Sequence, residues 1–189
     1  MRVAIFGGSF NPPHVAHLLA ATWVLSTRPV DQVWFVPVGQ HAFGKVLESF
    51  EHRRRMLELA TAPIRAESAV CDVEQRLGGP NRTIDTLQHL QREHPEARFS
   101  LIIGADILTE RHAWKSWDVL ERDFGFHVLG RQGYPTPPGY GAEVVLPDVS
   151  STTLRQKLRD RDLDGCRCRI DLDVLDYIEA HALYRPDAP

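Results

Sequence analysis

Gly7-Gly8-Ser9-Phe10-Asn11-Pro12-Pro13-His14-Val15-Ala16-His17-Leu18 is the segment on which the reading of this chain turns. It follows Arg2 to Phe6, a short β-branched run that reads as a buried strand ended by the double glycine. Asn11, Pro12 and Pro13 supply start signals for a helix over roughly His14 to Ser26. Strand, glycine loop and helix in that order place backbone N–H groups beside the positive end of a helix, an arrangement that suits an anion. His14 and His17 are three residues apart, so a helix brings both to one face of its first turn. Neither G-x-x-x-x-G-K-[ST] nor G-x-G-x-x-G is present. H-x-x-H can also open a metal site, but it has no obvious third ligand and lacks the glutamate of H-E-x-x-H. Two isolated histidines on a helix are ordinarily a packed or solvated pair. Behind a strand and two glycines, the phosphate reading overtakes both alternatives.

The same alternation continues along the chain. Strands are predicted at Val33–Val38, Ala69–Val73, Phe99–Ile103, Phe126–Leu129 and Val144–Leu146. Helices are predicted at Glu51–Thr61, Thr83–Glu93, Trp114–Glu121, Thr152–Arg161 and Asp171–Ala182. The segment Tyr134 to Tyr140 (YPTPPGY) reads as a loop. Such a series implies an α/β fold: a Rossmann-like, doubly wound parallel sheet with C-terminal helices. One domain over residues 1–189 is expected, its C-terminal helical part starting at about residue 150. In these sheets ligands bind beyond the carboxyl ends of the strands, where strand order switches. The loops at 7–17, 104–117 and 147–155 are therefore the informative ones.

The last of these reads VSSTTLRQKLR, Val149 to Arg159. Ser150 or Ser151 can cap the helix that follows, and Arg155 projects from its first turn toward the same N–H groups. Lys157 and Arg159 add positive charge. Taken alone this is a helix cap; paired with the first loop it becomes a second anion-binding helix end. In the middle loop Gly104 and Asp106 follow a buried strand directly. A carboxylate there suits a sugar hydroxyl or a magnesium ion, or is simply a first-turn residue of a helix. Trp114 and Trp117, three apart on the predicted helix, read as core for Trp117, with Trp114 placed to stack on a flat heterocycle. Arg53, Arg54 and Arg55 read as a solvated helix face, with help in holding a mononucleotide phosphate as the alternative.

Composition narrows the class. The 189 residues are 43% hydrophobic and 25% charged, ordinary globular usage that excludes low-complexity and wholly disordered chains. The net charge of −3 argues against a general nucleic-acid or membrane-surface binder. No run reaches the length of a membrane span, and Met1 to Phe10 lacks the pattern of a signal peptide. Cys71, Cys166 and Cys168 read as free thiols, so a cytoplasmic protein is expected.

The three segments, in this order, resemble the nucleotidylyltransferase superfamily that carries H-x-G-H and S-S-T-x-x-R signatures, and within it the nicotinate-nucleotide adenylyltransferases. The likeness runs from Gly7 to the C-terminal LYRP, Leu183 to Pro186. It implies adenylyl transfer from ATP to a pyridine mononucleotide, with magnesium and no protein nucleophile. It implies that Gly8, Ser9, Phe10, His14, His17, Gly104, Asp106, Arg131, Ser151, Thr152 and Arg155 bind ATP. His17 would stabilise the transition state, with His14, Lys45 and Arg155 as supporting cations. Thr83, Trp114 and Lys45 would hold the mononucleotide. The chain departs from the pattern at Ala16, where the signature has Gly, and at Arg82, where the family often has Tyr. Pro37 to Lys45 resembles instead the loop of enzymes that take nicotinamide mononucleotide. Other acceptors such as phosphopantetheine, a nucleotide sensor without turnover, and a metal-dependent hydrolase using His14, His17 and Asp106 are the rival readings.

Overall fold

The computed structural model describes residues 1–39, 47–137, 139–140 and 144–185. Among these residues six strands form one sheet: β1 (Arg2–Gly8), β2 (Gln32–Pro37), β3 (Ser68–Val70), β4 (Arg98–Gly104), β5 (Phe126–Arg131) and β6 (Val145–Leu146). Every neighbouring pair is parallel and the order is β3-β2-β1-β4-β5-β6. This is the Rossmann-like sheet expected from the alternation. Strand order reverses between β1 and β4, so their carboxyl ends flank the switch point.

The pleat sends alternate side chains to opposite faces. Val3 and Ile5 of β1 join Val36, Leu101 and Ile103 in a core closed by α4 (Thr83–Glu93) and α6 (Trp117–Asp123). Ala4, Val33 and Phe35 face the other way, onto Ala20, Ala21 and Val24 of α1 (Val15–Thr27) and Leu57 of α2 (Phe50–Ala60). Both faces are thus buried, which is why the strands read as continuous apolar runs. A third core lies beyond the sheet. There Met56 and Ala60 of α2 pack with α7 (Ser151–Arg159), α8 (Asp164–Arg167) and α9 (Leu172–Ala180) through Leu154, Leu158, Cys166 and Val174. No helix among the described residues is long and apolar enough to cross a membrane.

The predicted helix over Trp114–Glu121 is corrected by the structure. After β4 come the short α5 (Ala105–Thr109) and a 3-10 turn at Arg111–Ala113. Trp114 is extended (φ −88°, ψ 128°) and Ser116 is left-handed (φ 56°), so α6 cannot begin before Trp117. Trp114 and Trp117 therefore do not share a helix; their rings meet edge-on at 5.8 Å. The predicted strand over Ala69–Val73 ends at Val70, because Asp72 is the N-cap of α3 (Val73–Leu77), which already includes Val73. α3, α5 and α8 were not anticipated: four or five residues are too few to show a helical period.

Candidate active site

The carboxyl ends of β1 and β4 open onto a cleft of about 1080 Å³. Its walls come from the first loop and helix (Ser9, His14, Ala16, His17), the β4–α5 junction (Gly104, Asp106), Arg131 after β5, and the start of α7 from Ser150 to Arg159. His14 does not lie in α1 but caps it, with extended backbone (φ −148°, ψ 170°). Its N–H donates to Nδ1 of His17 at 3.1 Å, and the two imidazoles stack at 3.7 Å between centroids. With Nδ1 accepting, the neutral His17 ring carries its proton on Nε2. Phe6 and Phe10 present edges to the His17 ring at 5.8 and 4.9 Å.

These surroundings set the charge. Burial, then Arg131, lowers the pKa of His14 to about 4. Burial, then His14, then Arg131, pushes His17 well below the usual imidazole range. Both rings are neutral at pH 7, so His14 is a hydrogen-bonding group rather than the supporting cation that the resemblance implied. Positive charge in the cleft comes instead from Arg131, Arg155 and Arg159. The buried Nδ1 of His14 has no hydrogen-bond partner among the described residues.

The helix α7 is stitched to the first loop across the sequence. Ser150 is its cap, accepting from the Thr153 N–H at 3.2 Å. The Ser151 hydroxyl donates to the Pro12 carbonyl at 2.9 Å. Arg155 donates to the Asn11 carbonyl at 2.8 Å and to the Thr152 hydroxyl at 3.2 Å. Opposite them, Arg131 and Asp106 form an ion pair at 2.5 Å. Residue 104 must be glycine for this pair, since a Cβ there would run into the Asp106 carboxylate. Asp106 is the one carboxylate on the cleft wall among the described residues. No group of three His, Cys, Asp or Glu side chains is gathered for a metal ion among them.

Of the residues singled out in the sequence, Ser9, His14, His17, Gly104, Asp106, Arg131, Ser151, Thr152 and Arg155 line this one cleft. Gly8 and Phe10 lie behind it. Phe10 is 1% exposed with φ 47°, and its ring sits where a Cβ on Gly8 would be crowded. Ala16 turns its buried methyl into the wall. Thr83 begins α4, and neither it nor Trp114 is on the cleft wall. The segments that carry them are tied by the Lys115–Asp85 ion pair at 2.8 Å. Lys45 lies outside the described residues.

The reading of Arg53 to Arg55 as a solvated face fails for Arg53. Arg53 is not on a solvated face but 1% exposed. It donates Nε to the Glu48 carbonyl at 3.0 Å, Nη1 to Ser9 at 3.0 Å and Nη2 to Val38 at 2.7 Å. Its spacing held the signal, because Arg53, Met56, Leu57 and Ala60 fall on one helical stripe and all four are buried. Arg54 and Arg55 do face solvent, in ion pairs with Glu51 and Glu58.

A glycine loop under one helix end, faced by a second capped helix across a switch point, defines an α/β nucleotidyltransferase. The comparisons with known proteins agree. The cytidylyltransferase-like family model matches residues 5–157. Relatives named "Probable nicotinate-nucleotide adenylyltransferase" include one from Anaeromyxobacter dehalogenans, 45% identical over 97% of each chain. Another, from Myxococcus xanthus, is 46% identical over 97% of this chain and 95% of its own. The chain belongs to the cytidylyltransferase-like family and, within it, to the nicotinate-nucleotide adenylyltransferases. The same fold is seen in the Plasmodium falciparum nicotinic acid mononucleotide adenylyltransferase complexed with NaAD, with a TM-score of 0.84 and 22% identity over 97% of each chain.

Proposed function

We propose that this chain transfers the adenylyl group of ATP to nicotinate mononucleotide, giving the deamido-NAD dinucleotide and pyrophosphate, a step of NAD biosynthesis. The observation that carries this reading is the convergence of the stacked His14–His17 pair and the Ser151–Arg155 turn on one cleft at the switch point. An oxygen of the mononucleotide 5′-phosphate bonds to the α-phosphorus of ATP while the bond to the bridging oxygen breaks and pyrophosphate leaves. The attacking phosphate is already anionic near pH 7, so no strong general base is needed. Catalysis then rests on positioning and on stabilising charge at the transferring and leaving oxygens.

In this reading the α1 amide end, Ser9 and His14 cradle the triphosphate. His17 donates from Nε2 to the transferring phosphate, and Ser151, Thr152 and Arg155 hold the leaving pyrophosphate. Gly104 and Asp106 take the ATP ribose, with Arg131 beside the nucleotide. Thr83, Trp114 and Lys45 take the mononucleotide. A wall with one carboxylate among the described residues, already paired to Arg131, fits a magnesium ion held by the phosphates rather than by a protein cage. When bound, that ion neutralises charge between the leaving oxygens.

Pyrophosphate release with ATP and magnesium tests the reading, comparing nicotinate mononucleotide, nicotinamide mononucleotide and phosphopantetheine. Preference for the acid supports it. Preference for the amide moves the specificity to the one that Pro37 to Lys45 resembles. ATP binding with no pyrophosphate from any of the three refutes transfer to these acceptors.

A further inference from the structure

The C-terminal segment returns to Asn11 of the first loop, off the cleft wall, in a way that the adenylyl-transfer reading does not use. Tyr184 follows α9 by four residues and has left-handed backbone (φ 61°). It is only 5% exposed. Its phenol donates to Oδ1 of Asn11 at 2.9 Å, across 173 residues of chain. Its N–H donates to Oε1 of Glu48 at 3.1 Å, and the Glu48 N–H donates to the same Asn11 oxygen at 3.2 Å. Asn11 itself is 1% exposed. Its carbonyl accepts from Arg155, while the Glu48 carbonyl accepts from Arg53, which also holds Ser9. Asn11 is thus the hub of one closed network. It joins the phosphate loop, the start of α2, the first turn of α7 and the end of the chain. Burial, with Glu48 adding to it, holds the phenol pKa far above its usual value, so it stays a hydrogen-bond donor.

We propose that Tyr184 is a positioning residue for the ATP triphosphate, acting through Asn11 to hold the Ser9–Asn11 loop and Arg155 in the geometry that binds phosphate. It touches no substrate. It raises the fraction of chains whose loop is ready to bind, which lowers the apparent ATP dissociation constant in inverse proportion to that fraction. The inference rests on the adenylyl-transfer reading for its choice of ligand.

Tyr184→Phe in the full chain removes only the hydroxyl and keeps the buried ring. Loss of one neutral hydrogen bond is expected to raise the ATP KM about five- to tenfold. The mononucleotide KM should stay within about twofold, and Tm should change little. Deleting residues 184–189 should raise the ATP KM further. An ATP KM within about twofold of the unaltered chain overturns the proposal. So does a parallel rise in both KM values, or a fall in kcat that follows Tm with both KM values unchanged. If the unaltered chain releases no pyrophosphate with any mononucleotide, the transfer reading fails, and calorimetric titration with ATP replaces KM. Tyr184→Phe must then still weaken ATP binding about fivefold or more. Equal affinities, or no ATP binding by the unaltered chain, overturn it.

Discussion

The neutrality of His14 and His17 is the feature from which most of the chemistry at the residue scale follows. A native pKa of about 4 for His14, against 6.5 when unfolded, means that the unfolded chain takes up a proton that the native chain refuses. Stability is therefore full above pH 6.5 and falls as pH drops toward 4, by about 3 kcal/mol from His14 alone. Denaturant titrations across that range should show the loss, and His14→Gln should remove the His14 share of it while that of His17 remains. A bound triphosphate has the opposite effect, favouring protonated imidazoles. With the free His14 pKa near 4, the proton uptake that accompanies ATP binding should grow as pH falls from 7 toward 4, measurable by calorimetry in buffers of different ionisation heat. The donor role of Nε2 gives a separate expectation. His17→Ala should lower kcat about 10²- to 10³-fold, as loss of a preorganised donor does, with a smaller change in ATP KM, read by steady-state pyrophosphate release.

At the scale of elements, α2 matters more than its surface charge suggests. Its buried stripe includes a guanidinium that satisfies three carbonyls from three different segments. Arg53→Ala leaves those carbonyls buried and unpaired, and should cost about 3 kcal/mol. For a chain of this size that lowers Tm by about 10 °C, visible in a thermal melt. Arg54→Ala and Arg55→Ala, on the exposed face, should each cost less than about 0.5 kcal/mol. Helices of nine or more residues were legible because their apolar period is long enough to count; α4 matches the predicted Thr83–Glu93. The β4–α6 connection was not, because no local signal in the sequence marks the backbone breaks at Trp114 and Ser116 that set Trp117 at the start of α6.

Across the whole molecule, the helices after residue 150 share a core with α2, which lies between β2 and β3 in the chain. Met56 and Ala60 would be exposed if that part came away. The C-terminal helices should therefore not melt separately. Calorimetry is expected to show one transition, with calorimetric and van't Hoff enthalpies equal; two resolved transitions would contradict this.

The order of the strands and of the longer helices, the parallel sheet and the three loops that meet at its switch point were readable in the chain. Each depends on near-neighbour patterning: glycine after an apolar run, hydroxyls before a helix, alternation of periods. The charge of the imidazoles, the burial of Arg53 and the return of Tyr184 to Asn11 were not. They depend on which distant segments exclude water from a group and which carbonyls they bring within reach. Residues 11 and 184 meet only because α9 packs on α2.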